Sequence, residues 1–168
     1  MVVTVLLLVF VLVAVVTDMT QHKIYNWTTY PGMLIALVIN AAGFGLVDWY
    51  ASLLGLLLCG LAMVACFVCF KVGGGDVKLM AMIGAALGYE QGLTVMLWTF
   101  VLGACMGIIV LIWRVGPWAL MTQTLRHLMW TIRLGQFVPL TPEERALLQP
   151  PLFLAPCALA AIIIVQFF

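Results

Sequence analysis

Long uncharged runs constrain this chain more than any other feature. From Val2 to Thr17, Trp27 to Val47, Ala51 to Phe70, Leu93 to Trp113 and Leu152 to Phe168 it carries no Asp, Glu, Lys or Arg. A helix needs about 20 apolar residues to cross a bilayer core. These runs do not alternate polar with apolar residues, so they read as helices and not as strands of a β-barrel. With 66% hydrophobic and 8% charged residues, the chain lacks the polar surface of a soluble domain of its size. The first run has no basic segment before it and no small-residue cleavage pattern, so it reads as a retained helix and not a signal peptide. A shorter Gly- and Ala-rich stretch, Val77 to Gly88, adds a further span. The expectation is an all-α, polytopic membrane bundle of about six transmembrane helices, forming a single membrane-embedded domain over residues 1–168.

The basic residues orient this bundle. Lys23 falls in the first connection, Lys71 and Lys78 in or beside the third, and Arg114, Arg126, Arg133 and Arg145 in the fifth. Those are all 7 Lys and Arg, and every one lies in an odd connection. The even connections hold Asp48 and Glu90 and no base. The positive-inside rule then puts the odd connections in the cytoplasm and both termini outside.

The fifth connection, about 114–149, is the longest. Trp118, Met121, Leu125, Leu128, Met129 and Ile132 recur at helical spacing with Gln123, Arg126, His127 and Arg133 between them. This pattern predicts an amphipathic helix against the lipid headgroups of the inner leaflet. Cys66 and Cys69 form a lone CxxC with no second pair and no nearby histidine, so they read as packing residues and no metal site is expected. The glycine run lacks the spacing of a phosphate loop, and a net charge of +1 does not suggest nucleic-acid binding.

Of the 6 acids, Asp48 and Glu90 fall in exterior turns and Glu143 and Glu144 in a cytoplasmic loop, which leaves Asp18 and Asp76 to be explained. Asp18 leaves the first span and Asp76 begins the fourth, so the topology puts both at the cytoplasmic membrane face. Ionisable groups at membrane depth are costly and mark function. Two carboxylates facing each other within a few ångströms titrate as a pair and share one proton. In that state one takes a proton from an attacking water while the other donates to the developing oxyanion, which is aspartic-protease chemistry without a metal or cofactor. Gly73, Gly74 and Gly75, just before Asp76, give room for a tight turn and for the backbone of an extended substrate. The alternative reading of "GGGD" is an ordinary interhelical loop with Asp76 as N-cap. Lys78 lies two residues beyond Asp76, the wrong spacing for a direct pair on a helix; it reads either as a snorkelling anchor or as support for the site. Lys23 reads as an interfacial anchor, His22 as a polar loop residue, and Asn26 as a hydrogen-bonding turn residue.

At these residues the chain resembles the type IV prepilin peptidases, membrane aspartyl proteases with a GxGD signature, and most of all the short form associated with Flp/Tad pili. Gly73-Gly74-Gly75-Asp76 stands at the GxGD motif, and "VKLMAMIGAALG" after it is similar to the family's continuation, with Lys78 at the family's lysine. Asp18 followed by "MTQHKIYNW" resembles the first catalytic aspartate and its basic-Ile-x-Asn segment. The resemblance covers about half the chain, from the first span through the fourth. It implies a peptidase of the bacterial inner membrane, with Asp18 and Asp76 catalytic and Gly73, Gly74 and Gly75 at the substrate backbone. Lys78, Lys23 and Asn26 would support the site. The implied substrate is a prepilin or pseudopilin whose basic leader is cut at the cytoplasmic face. The long form's methyltransferase domain has no counterpart, since no second CxxC is present.

Two departures stand out. Tyr25 replaces the proline of the family's Ile-Pro-Asn, and Ala155 precedes Pro156 where relatives have glycine. Other readings of a chain with acids in its membrane spans are a proton- or cation-coupled transporter and a non-enzymatic pilus assembly factor. A transporter would place acids near the midplane and often shows a repeat, and neither feature is visible in this sequence. The cognate pilin and the oligomeric state are not encoded in any motif of the chain.

Overall fold

The computed structural model describes residues 2–21, 23–70, 73–115, 122, 129 and 154–167. Five helices run in the order α1 (Val2–Gln21), α2 (Asn26–Ala41), α3 (Trp49–Phe70), α4 (Gly74–Val115) and α5 (Leu154–Phe167). No strand occurs among the described residues. α1, α3 and α4 contain stretches long and apolar enough to cross a membrane, Val3–Gln21, Trp49–Cys69 and Gly74–Trp113. The protein is an integral membrane protein by these helices.

The chain divides into two compact units, Met1–Leu102 with Phe153–Phe168, and Gly103–Leu152. In the second unit the described helix continues to Val115, with Met106, Ile108, Ile109, Ile112 and Trp113 exposed. The amphipathic helix expected over 114–149 lies outside the described residues, apart from positions 114, 115, 122 and 129. The remaining description concerns the first unit.

α1 shows how pattern becomes packing. Val3, Leu7, Val11 and Ala14 are buried, while Val5, Val9, Leu12 and Val16 are more than half exposed. Each set recurs at three- and four-residue steps, so one face turns inward and the other toward lipid. The inward face packs on α2 and α5, and α2 packs on α3. Asp18 comes four residues after Ala14 and continues the inward stripe.

The sequence pattern predicts a second span reaching Val47, but α2 stops at Ala41. Gly43 adopts a φ of 76°, the left-handed region that favours glycine. Its N–H bonds to the Asn40 carbonyl at 3.2 Å and the Phe44 N–H to the Ile39 carbonyl at 3.2 Å. These two bonds are the Schellman closure of a helix C-terminus. The residues that overran the prediction form the turn into α3.

The first part of α4 is the centre of the unit. Every residue from Leu79 to Gly88 is buried, so this segment is enclosed on all sides. Close backbone approach makes that possible. A Cβ on Gly84 would overlap the Gly55 carbonyl oxygen, and one on Gly55 would overlap that of Gly84. In lipid, where apolar surface has no water to escape, such packing is what holds helices together.

Gly88, with φ 81° and ψ −179°, interrupts α4. A Cβ on Gly92 would lie 2.9 Å from the Gly84 Cα. In a straight helix residues eight apart are separated by about 12 Å, so the chain doubles back here. The segment before the break, Gly74 to Leu87, is about 21 Å long at a rise of ~1.5 Å per residue. That is short of the ~30 Å hydrocarbon core. The break falls where the predicted fourth span ends.

A helix that stops inside a bundle must satisfy its last carbonyls. In an unbroken helix the Ala85 carbonyl would accept from the Tyr89 N–H. Here the Asn40 Nδ2 donates to it at 3.0 Å, and the Ser52 hydroxyl donates to it as well. The same Asn40 amide donates to Ser52 Oγ at 3.1 Å, and its oxygen accepts the Leu46 N–H at 3.2 Å. Asn40 and Ser52 are both buried.

Asn40→Ala should lower stability by about 1–3 kcal/mol, since it strips a buried carbonyl and a turn N–H of one partner; thermal unfolding in detergent measures it, and an unchanged midpoint would remove Asn40 as an anchor. Gly84→Ala should be more disruptive than Gly60→Ala. The first overlaps backbone, whereas a Cβ on Gly60 meets the Ala81 Cβ at an ordinary 3.5 Å. The comparison is the yield of monodisperse protein and its unfolding temperature.

Candidate active site

Asp76 owes its position to the start of α4. Gly73 occupies the N-cap position, Gly74 is the first helical residue and Asp76 the third. The alternative reading of Asp76 as N-cap is therefore corrected: the cap is Gly73, because the helix begins one turn earlier than the apolar pattern. The Asp76 N–H bonds to the Gly73 carbonyl at 3.1 Å, and the Gly73 N–H is a partner of the Asp76 carboxylate. A third-position acid reaching back to the cap N–H is one half of a capping box. It also suits the positive end of the helix dipole.

Asp18 approaches from α1. Its Oδ2 is buried. Both aspartates line one open cleft of about 370 Å³, with Lys23, Ile24, Tyr25, Asn26, Gly73, Gly74 and Gly75 completing the wall. The cleft is thus built from the end of α1, the loop to α2, and the first turn of α4. His22, Lys71 and Val72 lie outside the described residues.

The three glycines do different things. A Cβ on Gly73 would come within 2.8 Å of Asp76 Oδ2, so its absence leaves room for the carboxylate. A Cβ on Gly75 would come within 2.9 Å of the Ile24 Cβ, so its absence seats the α1–α2 loop. A Cβ on Gly74 would meet nothing within 4 Å. Gly74 is exposed and faces open space in the cleft.

Of the other residues singled out in the sequence, Lys23 is exposed on the cleft wall. Lys78 is half-buried, and its Nζ donates to Asn26 Oδ1 at 2.6 Å and lies 5.2 Å from the Tyr30 ring centroid. Such a cation–π contact is worth about 0.5–1 kcal/mol at an exposed site. Tyr30 escaped notice in the sequence, and Ile24 and Tyr25 stood out there only as part of the Ile-x-Asn segment. The spacing of Asn26 and Tyr30, four residues apart at the start of a helix, was the available signal for a shared partner.

Tyr25 stands where the resembled family has proline. It is the N-cap residue of α2, with φ −77° and ψ 142°. Those angles are the ones a proline ring favours. The turn therefore has proline-like geometry without proline, and the Tyr25 hydroxyl donates to Gln21 across the loop.

Asp48 and Glu90 lie away from this site. With Gly88, Tyr89 and Gln91 they line a second cleft of about 260 Å³ at the α4 break. Among the described residues no three His, Cys, Asp or Glu gather in a metal-binding arrangement.

Two carboxylates sharing one cleft, beside a glycine-lined strip of backbone, form an arrangement able to activate a water against a peptide bond. No curated protein and no solved structure matches the chain. A family model, described as the type IV leader peptidase family, matches residues 5–108, which is most of α1 through α4 and includes every wall of the cleft. That match spans more than half of the 168 residues, and the chain belongs to the type IV leader peptidase family.

Proposed function

We propose that this protease cuts the basic leader from prepilins or pseudopilins of the Flp/Tad type, using Asp18 and Asp76 as a shared-proton pair. The observation that carries the reading is that both carboxylates line the same cleft. In the proposed cycle one carboxylate, ionised, takes a proton from the attacking water. The other, protonated, donates to the carbonyl oxygen as the tetrahedral intermediate forms and then assists the leaving amine. The strip around Gly74 receives the substrate backbone, since that position has open space beside it.

The same reading includes six spans, a bacterial inner membrane and a cytoplasmic site. The support is the distribution of Lys and Arg, all in odd connections. The reversal of α4 at Gly88 is consistent with two spans where length and composition alone count one. Membrane lipids and the prepilin are the expected partners, and the chemistry calls for no cofactor.

The test is cleavage of a fusion carrying a short basic leader ahead of an apolar helix, with enzyme and substrate in one nanodisc. Asp18→Asn and Asp76→Asn should each slow cleavage by at least about 10²–10⁴-fold, the usual contribution of general acid–base catalysis. Both preserve side-chain shape, and in the second the new amide oxygen can still accept from the Gly73 N–H. Wild-type rate in either variant would rule out the paired mechanism, and ion flux without cleavage would favour a transporter.

The glycines give a second, graded expectation. Gly74→Ala should mainly raise KM, because its Cβ enters the space that receives the substrate backbone, whereas Gly73→Ala and Gly75→Ala should each lower kcat about tenfold or more, because small displacements of reacting groups are costly. Equal loss at all three positions would mean that the backbone conformation of the run, and not the space beside each residue, is what matters.

A further inference from the structure

The mouth of the cleft is held by contacts that involve neither carboxylate. Asn26 and Tyr30 share one face of the first turns of α2. The Lys78 ammonium reaches both, by a 2.6 Å hydrogen bond and a cation–π contact. It therefore joins the start of α2 to the start of α4, the helix that carries Asp76. Asn26 lines the cleft, and Ile24, two residues before it, rests on Gly75. A lysine at a membrane surface usually snorkels to phosphate; this one is half-buried and turned to a neighbouring helix.

The consequence falls on the loop at 23–25. It begins two positions after the last residue of α1, so its seat on Gly75 constrains the end of the helix that carries Asp18. The loop is short, and the described backbone hydrogen bond at its end, Thr28 N–H to the Tyr25 carbonyl at 3.2 Å, belongs to the first turn of α2. Among the described residues, Lys78 adds a tie between the cleft ends of α2 and α4 to the Ile24–Gly75 contact and the Tyr25–Gln21 hydrogen bond.

We propose that Lys78 is a positioning residue: by clamping Asn26 and Tyr30 it seats the 23–25 loop on Gly75 and sets the spacing of the walls that carry Asp18 and Asp76. The ammonium touches no reacting atom in this scheme. Arginine retains the donor and the capacity to stack on an aromatic ring, so it should substitute in part. Methionine fills similar volume without the charge and should not.

Two measurements test the clamp, and only the second rests on the peptidase reading. In the first, the 5 native cysteines are replaced and spin labels are placed at Trp27→Cys on α2 and Leu97→Cys on α4, positions 88% and 63% exposed. The distance distribution in nanodiscs should be narrow in the parent, broadened or shifted by Lys78→Met and by Asn26→Ala, and narrow again in Lys78→Arg. In the second, Lys78→Met and Asn26→Ala should each lower kcat about ten- to a hundredfold, and the double variant should be no worse than the poorer single one. An unchanged distance distribution in both single variants overturns the proposal, and so do kinetic losses that multiply in the double variant. If the parent cleaves no leader, the peptidase reading fails and the spin labels still decide the clamp.

Discussion

A helix buried on every side has to end somewhere, and its last carbonyls must find donors. The first part of α4 meets that requirement at Gly88, where Asn40 and Ser52 take over the Ala85 carbonyl. One side chain comes from α2 and the other from α3, so this single carbonyl ties three helices at the far end from the cleft. The depth of α4 in the unit is set there. So is the height at which its other end, with Gly73 and Asp76, emerges between α1 and α2. Removing water from the surroundings strengthens the constraint, since an unsatisfied carbonyl in lipid has no alternative partner.

Glycine appears in this molecule as a way of removing atoms as much as of bending the chain. Gly55 and Gly84 let two helices meet backbone to backbone. Gly73 and Gly75 make room for a carboxylate and for a loop side chain, while Gly74 leaves open space in the cleft. Positive φ is needed at Gly43 and Gly88, both at helix ends. A run of three identical residues thus serves a helix cap, an open strip and a docking surface in consecutive positions.

The carboxylates gain their relation from two different devices. Asp18 is the continuation of an apolar stripe, so the packing that buries Ala14 also turns Asp18 inward. Asp76 is held by its own helix terminus through Gly73. One is delivered by the side of a helix and the other by the end of one. A cleft between such elements can be narrowed or widened by small shifts of α1 against α4 without breaking either helix. The Lys78 contact to α2 stands at the point where those shifts would be felt.

Much of this was legible from residues alone. The uncharged runs dictated helices in a membrane, because backbone groups have no other way to be satisfied there. The glycine run before Asp76, with Asp18 at a matching depth, singled out the two acids that share a cleft. The end of α2 was misplaced by six residues, because hydropathy continues through "AGFGLV" while the left-handed Gly43 does not. Asn40 also went unremarked: a lone amide in an apolar run has no meaning until a broken helix is packed beside it. Which glycine faces a carboxylate, which faces Ile24 and which faces nothing is decided only by tertiary structure, as is the turn of Lys78 toward Asn26. Sequence spacing specifies neighbours along one helix, whereas these contacts join residues up to 52 positions apart, and their distances are set by how closely α1, α2 and α4 can pack.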